Sequence, residues 1–165
     1  MTLKTADDLA ALTAEAGRLE AAGRLTADER AALDLDAVAA FWKSEPGRKI
    51  RAQPPERVRR ELPFTARFSP AEVDAIIGAK TPPALEDEFV VVQGVADLVV
   101  LLPGEIWLVD FKTDELTPGE ITGRSHHYEP QLKLYAGALS RIYARPVANC
   151  WLHFLATHQT VAVKI

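Results

Sequence analysis

Three side chains near the middle of the chain have the types and spacing to do chemistry together: Asp97, Asp110 and Lys112. Between the aspartates run Leu98 to Leu102, the pair Pro103-Gly104, and Glu105 to Val109. With Pro103-Gly104 as the centre of a hairpin turn, Leu102 meets Glu105, and counting outward sets Asp97 opposite Asp110 on one face of the sheet. Lys112 lies two residues beyond Asp110 and points to the same face. Facing carboxylates repel, and a valine-rich, low-dielectric setting makes the repulsion worse. A bound proton, a nearby lysine or a divalent cation must compensate. Carboxylate oxygens suit Mg²⁺ or Mn²⁺. Such a cation, held by Asp97 and Asp110, could polarise a phosphoryl oxygen and acidify a bound water. Lys112 could orient that water or stabilise charge on the phosphorus. The trio therefore suits phosphodiester hydrolysis with no covalent nucleophile. The bland alternative is a surface salt bridge between Lys112 and an aspartate. A D-x-K triplet alone is a weak signal, and the opposed Asp97 gives it weight.

The elements that must position these residues are legible in outline. Glu88 to Leu102 is valine-rich and predicts a long strand, and Glu105 to Lys112 a second. Upstream, Val58 to Phe68 has the length of a strand. Ser69-Pro70-Ala71-Glu72 supplies an N-cap, a first-turn proline and an acidic third position, predicting a short helix to Ile77. Thr81-Pro82-Pro83 predicts a loop. Further upstream, Thr5 to Ala22 has apolar residues at helical spacing and is closed by Gly23. Thr26 to Glu29 is a capping-box pattern opening a second helix, whose apolar stripe runs through Phe41 and Trp42 to about Ser44 and ends at Pro46-Gly47. Downstream, Leu116 to Gly123 is loop-like, with a break at Pro118-Gly119. Ser125 to Ala144 predicts a helix that tolerates Pro130 only near its first turn. Val147 to Ala156 and Thr160 to Ile165 predict strands joined at His158-Gln159.

The 165 residues suffice for one domain with its own core. Residues 1–55 are expected to form a helical region packing on a core of residues 56–165. No apolar run approaches membrane-spanning length. Met1 to Glu20 carries Asp7, Asp8 and Glu15 and lacks the apolar stretch of a signal peptide. A single cysteine, Cys150, excludes an internal disulfide and a cysteine metal cluster; an inert core thiol in a cytoplasmic protein is expected. The formal net charge of −4 argues mildly against gripping nucleic acid by bulk electrostatics. Arginine and lysine do gather at Arg48, Lys49, Arg51, Arg57, Arg59, Arg60 and Arg67. They form either a solvated strand face or a phosphate-contacting edge.

Taken in order, Arg60-Glu61-Leu62-Pro63-Phe64, then Gly94-x-x-Asp97, then Val109-Asp110-Phe111-Lys112-Thr113-Asp114, then Tyr128-x-x-Gln131 through Tyr135-Ala136, the chain resembles the RecB-like branch of the PD-(D/E)XK nucleases, with the nuclease domains of RecB and AddA in view. The resemblance covers about Ala31 to Ile165. It implies an α/β fold of restriction-endonuclease type, a mixed sheet flanked by helices in the order αβββαβ. It implies that Asp97 and Asp110 bind Mg²⁺ or Mn²⁺, that Lys112 is the catalytic lysine and that Glu61 supports the metal or its waters. It also implies that Gln131 and Tyr128 contact DNA or position the lysine, with Tyr135 equally a core residue. Phe111, on the opposite face, is expected to be packing, and Thr113 and Asp114 to shape the strand exit.

Two departures bear on function. The branch usually supplies a further histidine ligand from an early helix, yet residues 1–48 hold no histidine; His126, His127, His153 and His158 all come late. His126 and His127 could approach the site, with a solvated loop as their alternative. One cysteine also rules out the iron–sulfur cluster carried by some relatives. The resemblance thus implies a DNA-cutting domain excised from an exonuclease V-type helicase-nuclease that works in double-strand-break repair. Its implied partners are DNA, the helicase domains and a partner subunit. The chain has no phosphate-loop motif and is expected to hold no ATP. The competing expectation is a degenerate nuclease fold kept as a DNA-binding or docking platform.

Overall fold

In the computed structural model, residues 5–78 and 88–165 are described. The expected loop at Thr81-Pro82-Pro83 lies outside them. Five strands make one sheet in chain order: β1 (Val58–Phe68), β2 (Val90–Leu101), β3 (Ile106–Lys112), β4 (Val147–Phe154) and β5 (Gln159–Ala162). All neighbours are antiparallel except β3 and β4. A parallel pair needs a long crossover. It is supplied by α6 (Ile121–Tyr143), a helix of 23 residues. The helices α1 (Leu9–Ala21), α2 (Ala27–Ala31), α3 (Leu35–Lys43) and α4 (Glu45–Arg51) precede β1, and α5 (Pro70–Ile77) lies between β1 and β2. The fold is α/β, a mixed sheet flanked by helices of the restriction-endonuclease-like kind, and the αβββαβ order is present.

Each sheet face has its own core. On one, α6 contributes Leu132, Ala136 and Leu139 against Val99, Leu108, Leu152 and Phe154. On the other, Phe41 and Trp42 of α3 and Ile50 of α4 cover Leu98, Val100, Val109 and Trp151. Phe111 packs there edge-on against Phe41, with ring centroids 4.7 Å apart, as expected of a packing residue.

Three local expectations are corrected. The stripe from Thr26 to Ser44 is not one helix: the Asp34 carboxylate accepts from Ala37 N–H at 2.8 Å and starts α3 afresh. Pro46 and Gly47 do not end the helical region but open α4, because Ser44 caps its first turn by accepting from Gly47 N–H. That glycine is required: a Cβ there would meet the Phe41 carbonyl oxygen at 2.1 Å. Helix α6 begins at Ile121, inside the segment expected to be a loop, so Pro130 lies in its interior. The turn before it is fastened by Glu120, whose carboxylate accepts from the Thr117 N–H and hydroxyl at 2.8 and 2.6 Å.

Candidate active site

The β2–β3 hairpin has the register anticipated from Pro103-Gly104: Leu98 pairs with Val109, Val99 with Leu108, Val100 with Trp107 and Leu101 with Ile106. One step further, backbone pairing gives way to a side chain. Asp97 Oδ2 accepts from the Phe111 N–H at 2.8 Å. The carboxylate thus bridges the strands where they part.

The same level is irregular on the other side of β2. Pairing between β1 and β2 passes from Arg60↔Leu98 to Leu62↔Ala96, leaving Glu61 and Asp97 outside the ladder. Glu61 has φ 48°, a left-handed backbone that a residue with a Cβ adopts at a cost of about 1–2 kcal/mol. Even-numbered side chains change faces across this point. Val58, Leu98 and Val100 pack under α3 and α4, whereas Leu62, Phe64, Val92 and Ala96 pack under α6. Such an irregularity bends strands and re-aims side chains. Here Glu61 and Asp97 line one cavity of about 470 Å³ together with Arg60 and the apolar Phe41, Trp42 and Phe111.

Asp110 is 4% exposed. Burial pushes its carboxyl above the ordinary carboxylate range; the Lys112 ammonium pulls it back, and the charge on Asp97 raises it again. Lys112 Nζ stands 2.7 Å from Asp110 Oδ2, yet at an angle that makes no hydrogen bond, so this buried oxygen has a cation beside it and no donor aimed at it. The ammonium also donates to Gln131 Oε1 at 3.4 Å and lies 4.2 Å from the centre of the Tyr128 ring. Gln131 Nε2 donates to the Tyr135 hydroxyl at 3.2 Å. The Tyr135 ring packs edge-on against Phe64 over Gly94, where a Cβ would approach both rings to within 3 Å. Gly94 is therefore what lets α6 come close to β2.

Two further residues, Asp114 and Arg124, belong to this cluster, though sequence reasoning gives neither a role at the site. Asp114 accepts from the Tyr128 hydroxyl at 2.9 Å and from Arg124 Nε at 2.8 Å. Burial raises the Asp114 carboxyl, but these donors outweigh it and hold it below the ordinary range. The signal that could have found them is the spacing of Arg124, Tyr128, Gln131 and Tyr135 along one helical stripe. A helix starting at Ser125 hides it.

The histidines stand apart from the Asp110–Lys112 pair. His126 lies on α6 rather than in a loop, exposed and 2.9 Å from Glu129. His127 lines an outer cleft with Glu115 and Glu120. His153 is fully buried and its Nδ1 shares a hydrogen bond with the Thr160 hydroxyl at 2.8 Å. Cys150 is buried near Asp110; burial first, then the Asp110 charge, pushes its thiol up to about 12, the inert thiol expected. Among the described residues, no three His, Cys, Asp or Glu side chains gather as a closed metal cage. A two-carboxylate donor set still fits Mg²⁺ or Mn²⁺, which keep several waters and draw remaining ligands from phosphates. The donorless oxygen of Asp110 is the buried polar atom such an ion would satisfy.

A mixed sheet that parts around two aspartates and a lysine, with a helix of polar side chains over the opening, is the architecture of a class of nucleases. Residues 4–162 match the PD-(D/E)XK nuclease superfamily, and the chain belongs to it. Within that class it is similar to large bacterial proteins named as subunits of an ATP-dependent helicase/nuclease. To the one from Moorella thermoacetica it is 31% identical over 131 residues, covering 79% of this chain and 9% of that protein. To the one from Geobacillus kaustophilus it is 31% identical over 148 residues, covering 85% and 11%. For the Bacillus licheniformis protein the figures are 33% over 139 residues, 79% and 10%. The chain thus spans about a tenth of the length of these relatives. No helix among the described residues is long and apolar enough to cross a membrane.

Proposed function

We propose that this chain is the DNA-cutting domain of a helicase-nuclease that processes broken DNA ends, using Mg²⁺ or Mn²⁺ held by Asp97 and Asp110. The carrying observation is the buried Asp110–Lys112 pair at the end of β3, with one carboxylate oxygen lacking a donor. A buried carboxylate whose only near partner is a badly angled ammonium is a site prepared for something else. A cytoplasmic setting agrees with a single buried cysteine.

When bound, the divalent ion supplies Lewis acidity at a phosphoryl oxygen and lowers the pKa of a water. The chain's residues do the rest. Asp97 and Asp110 present oxygens from two strands whose register fixes their separation. Lys112 offers its ammonium to the negative charge that grows on the phosphoryl oxygens as water bonds to phosphorus and the ester P–O bond breaks. Gln131 Oε1 and the Tyr128 ring hold the ammonium against drift. Glu61 stands ready to order a water at the mouth of the cavity.

Asp110→Ala and Lys112→Ala are expected to lower the rate of cleavage of a short DNA by at least about 10²-fold with the thermal midpoint retained. Cleavage at the wild-type rate by both purified variants overturns the assignment. A second reading, a docking platform without catalysis, is favoured by the absence of a three-ligand cluster among the described residues. Calorimetric titration with Mn²⁺ separates the two: heat that disappears in Asp110→Ala supports the nuclease, and no binding at millimolar metal supports the platform.

A further inference from the structure

Tyr128 is tethered more firmly than a DNA-contacting side chain needs to be. Its hydroxyl donates to both Asp114 oxygens, at 2.9 and 3.1 Å. Arg124 locks that carboxylate through Nε at 2.8 Å and Nη2 at 2.7 Å. One face of the ring meets the Lys112 ammonium at 4.2 Å, and the Arg124 guanidinium lies 5.2 Å from the ring centre. We propose that Asp114 and Arg124 are positioning residues for Lys112, acting through Tyr128, whose ring is a wall of the ammonium's pocket rather than a platform for a base. The proposal rests on the nuclease reading for its kinetic part alone.

The physical reasons are three. A lysine side chain has many rotamers, and an ammonium held only by Asp110 would follow that carboxylate wherever it turned. A ring face attracts a cation from a direction no carboxylate supplies, and partial desolvation strengthens the attraction. A hydroxyl that donates to an ionised carboxylate makes its ring richer in electrons, so Asp114 improves the wall as well as fixing its tilt. Topology adds a fourth point. Asp114 follows Lys112 by two residues at the strand exit, and Arg124 precedes Tyr128 by one helical turn. The pair ties the end of β3 to the start of α6 across the turn that joins them.

Two measurements on the full chain test this. The first needs neither metal nor DNA. With lysine ¹³C-labelled at the ε position, the Lys112 methylene protons, assigned by their loss in Lys112→Arg, are expected upfield of the other lysines because of the Tyr128 ring current. The shift should vanish in Tyr128→Leu and shrink in Tyr128→Phe, Asp114→Ala and Arg124→Ala, with Arg124→Lys restoring part of it. Asp114→Asn keeps an acceptor for Tyr128 while dropping the ion pair, and guards against a folding defect. The second is cleavage of a short single-stranded DNA. Asp114→Ala and Tyr128→Leu are expected to lower kcat by about 10- to 100-fold, as a misplaced catalytic group does. KM should stay within about twofold, because ground-state binding is untouched. A Lys112 signal indifferent to Asp114 and Arg124, or a raised KM with kcat intact, overturns the proposal. Absence of cleavage by the wild-type chain counts against the nuclease reading, while the ring-current shifts still decide the positioning role.

Discussion

His153 has no room for a charge. It is fully buried on β4, its ring stacked edge-on between Phe41 and Phe111 at 4.9 and 6.0 Å, and its Nε2 has no hydrogen-bond partner. Burial, and behind it the charge of His158, lowers its pKa to about 4, against an ordinary value of 6.5. A base with a depressed pKa is preferred neutral by the fold. Its contribution is therefore complete above the unfolded value and is lost as pH falls toward the folded one. The thermal midpoint is expected to fall between about pH 6.5 and pH 4, by the equivalent of roughly 3 kcal/mol, one pKa unit being about 1.4 kcal/mol. Asp110 acts with the opposite sign: burial raises its pKa, so its charge opposes folding at neutral pH and protonation relieves it. Comparison with His153→Phe isolates the histidine, since that variant should lose most of the acid sensitivity and leave the Asp110 contribution in place. An unchanged profile in His153→Phe would show that the ring is solvated after all. None of this suits a metal ligand, and Nε2 faces aromatic carbon rather than Asp110.

At the level of elements, Gly94 decides how closely α6 approaches β2. A methyl there would press on Phe64 Cζ and the Tyr135 hydroxyl, each 2.8 Å from the ideal Cβ. Gly94→Ala is expected to destabilise the chain by about 1–3 kcal/mol through overpacking, read from urea denaturation. Because Tyr135 passes the strain to Gln131, cleavage should fall more than stability does; an alanine that leaves both unchanged would place the close approach elsewhere. The hairpin is open to sequence reading because a two-residue turn fixes everything that follows it by alternation, and Asp97 meets Asp110 from counting alone. The start of α6 is not, because Pro118-Gly119 looks like a break. Yet Thr117-Pro118-Gly119-Glu120 repeats the grammar of Ser69-Pro70-Ala71-Glu72, which does open a helix at Pro70. That repetition extends α6 and draws Arg124 into the stripe beside Tyr128. The face change at Glu61 leaves no trace in the sequence, since a left-handed glutamate has no compositional marker. Pro130 is legible as a helix disruptor but not in its position, because a helix packed along one whole face outweighs the bond lost to the His126 carbonyl.

For the whole molecule, the formal charge of −4 and the span of about a tenth of the relatives' length point the same way: we infer that the rest of such a protein delivers the DNA. Within the chain, residues 1–55 are proposed as a helical cover for a catalytic core of residues 56–165. Much of the basic cluster is already engaged. Lys49 pairs with Glu45, Arg51 with Asp7, Arg48 and Arg59 donate to backbone carbonyls, and Arg67 lies over Phe89. Among the described residues, Arg57 and Arg60 are the members without a partner, and Arg60 borders the cavity shared by Glu61 and Asp97. Binding of the chain to DNA is expected to be weak and salt-sensitive. Arg57→Ala and Arg60→Ala should each make the log–log salt slope shallower by about one phosphate contact, whereas Lys49→Ala should not. Equal effects from all three would mean a diffuse basic surface. One last feature reaches beyond function. Cys150 is the chain's single thiol, sealed under the sheet and disinclined to ionise. A thiol reagent can therefore modify the protein only as fast as that face breathes open, and the molecule carries its own clock for the exposure of its interior.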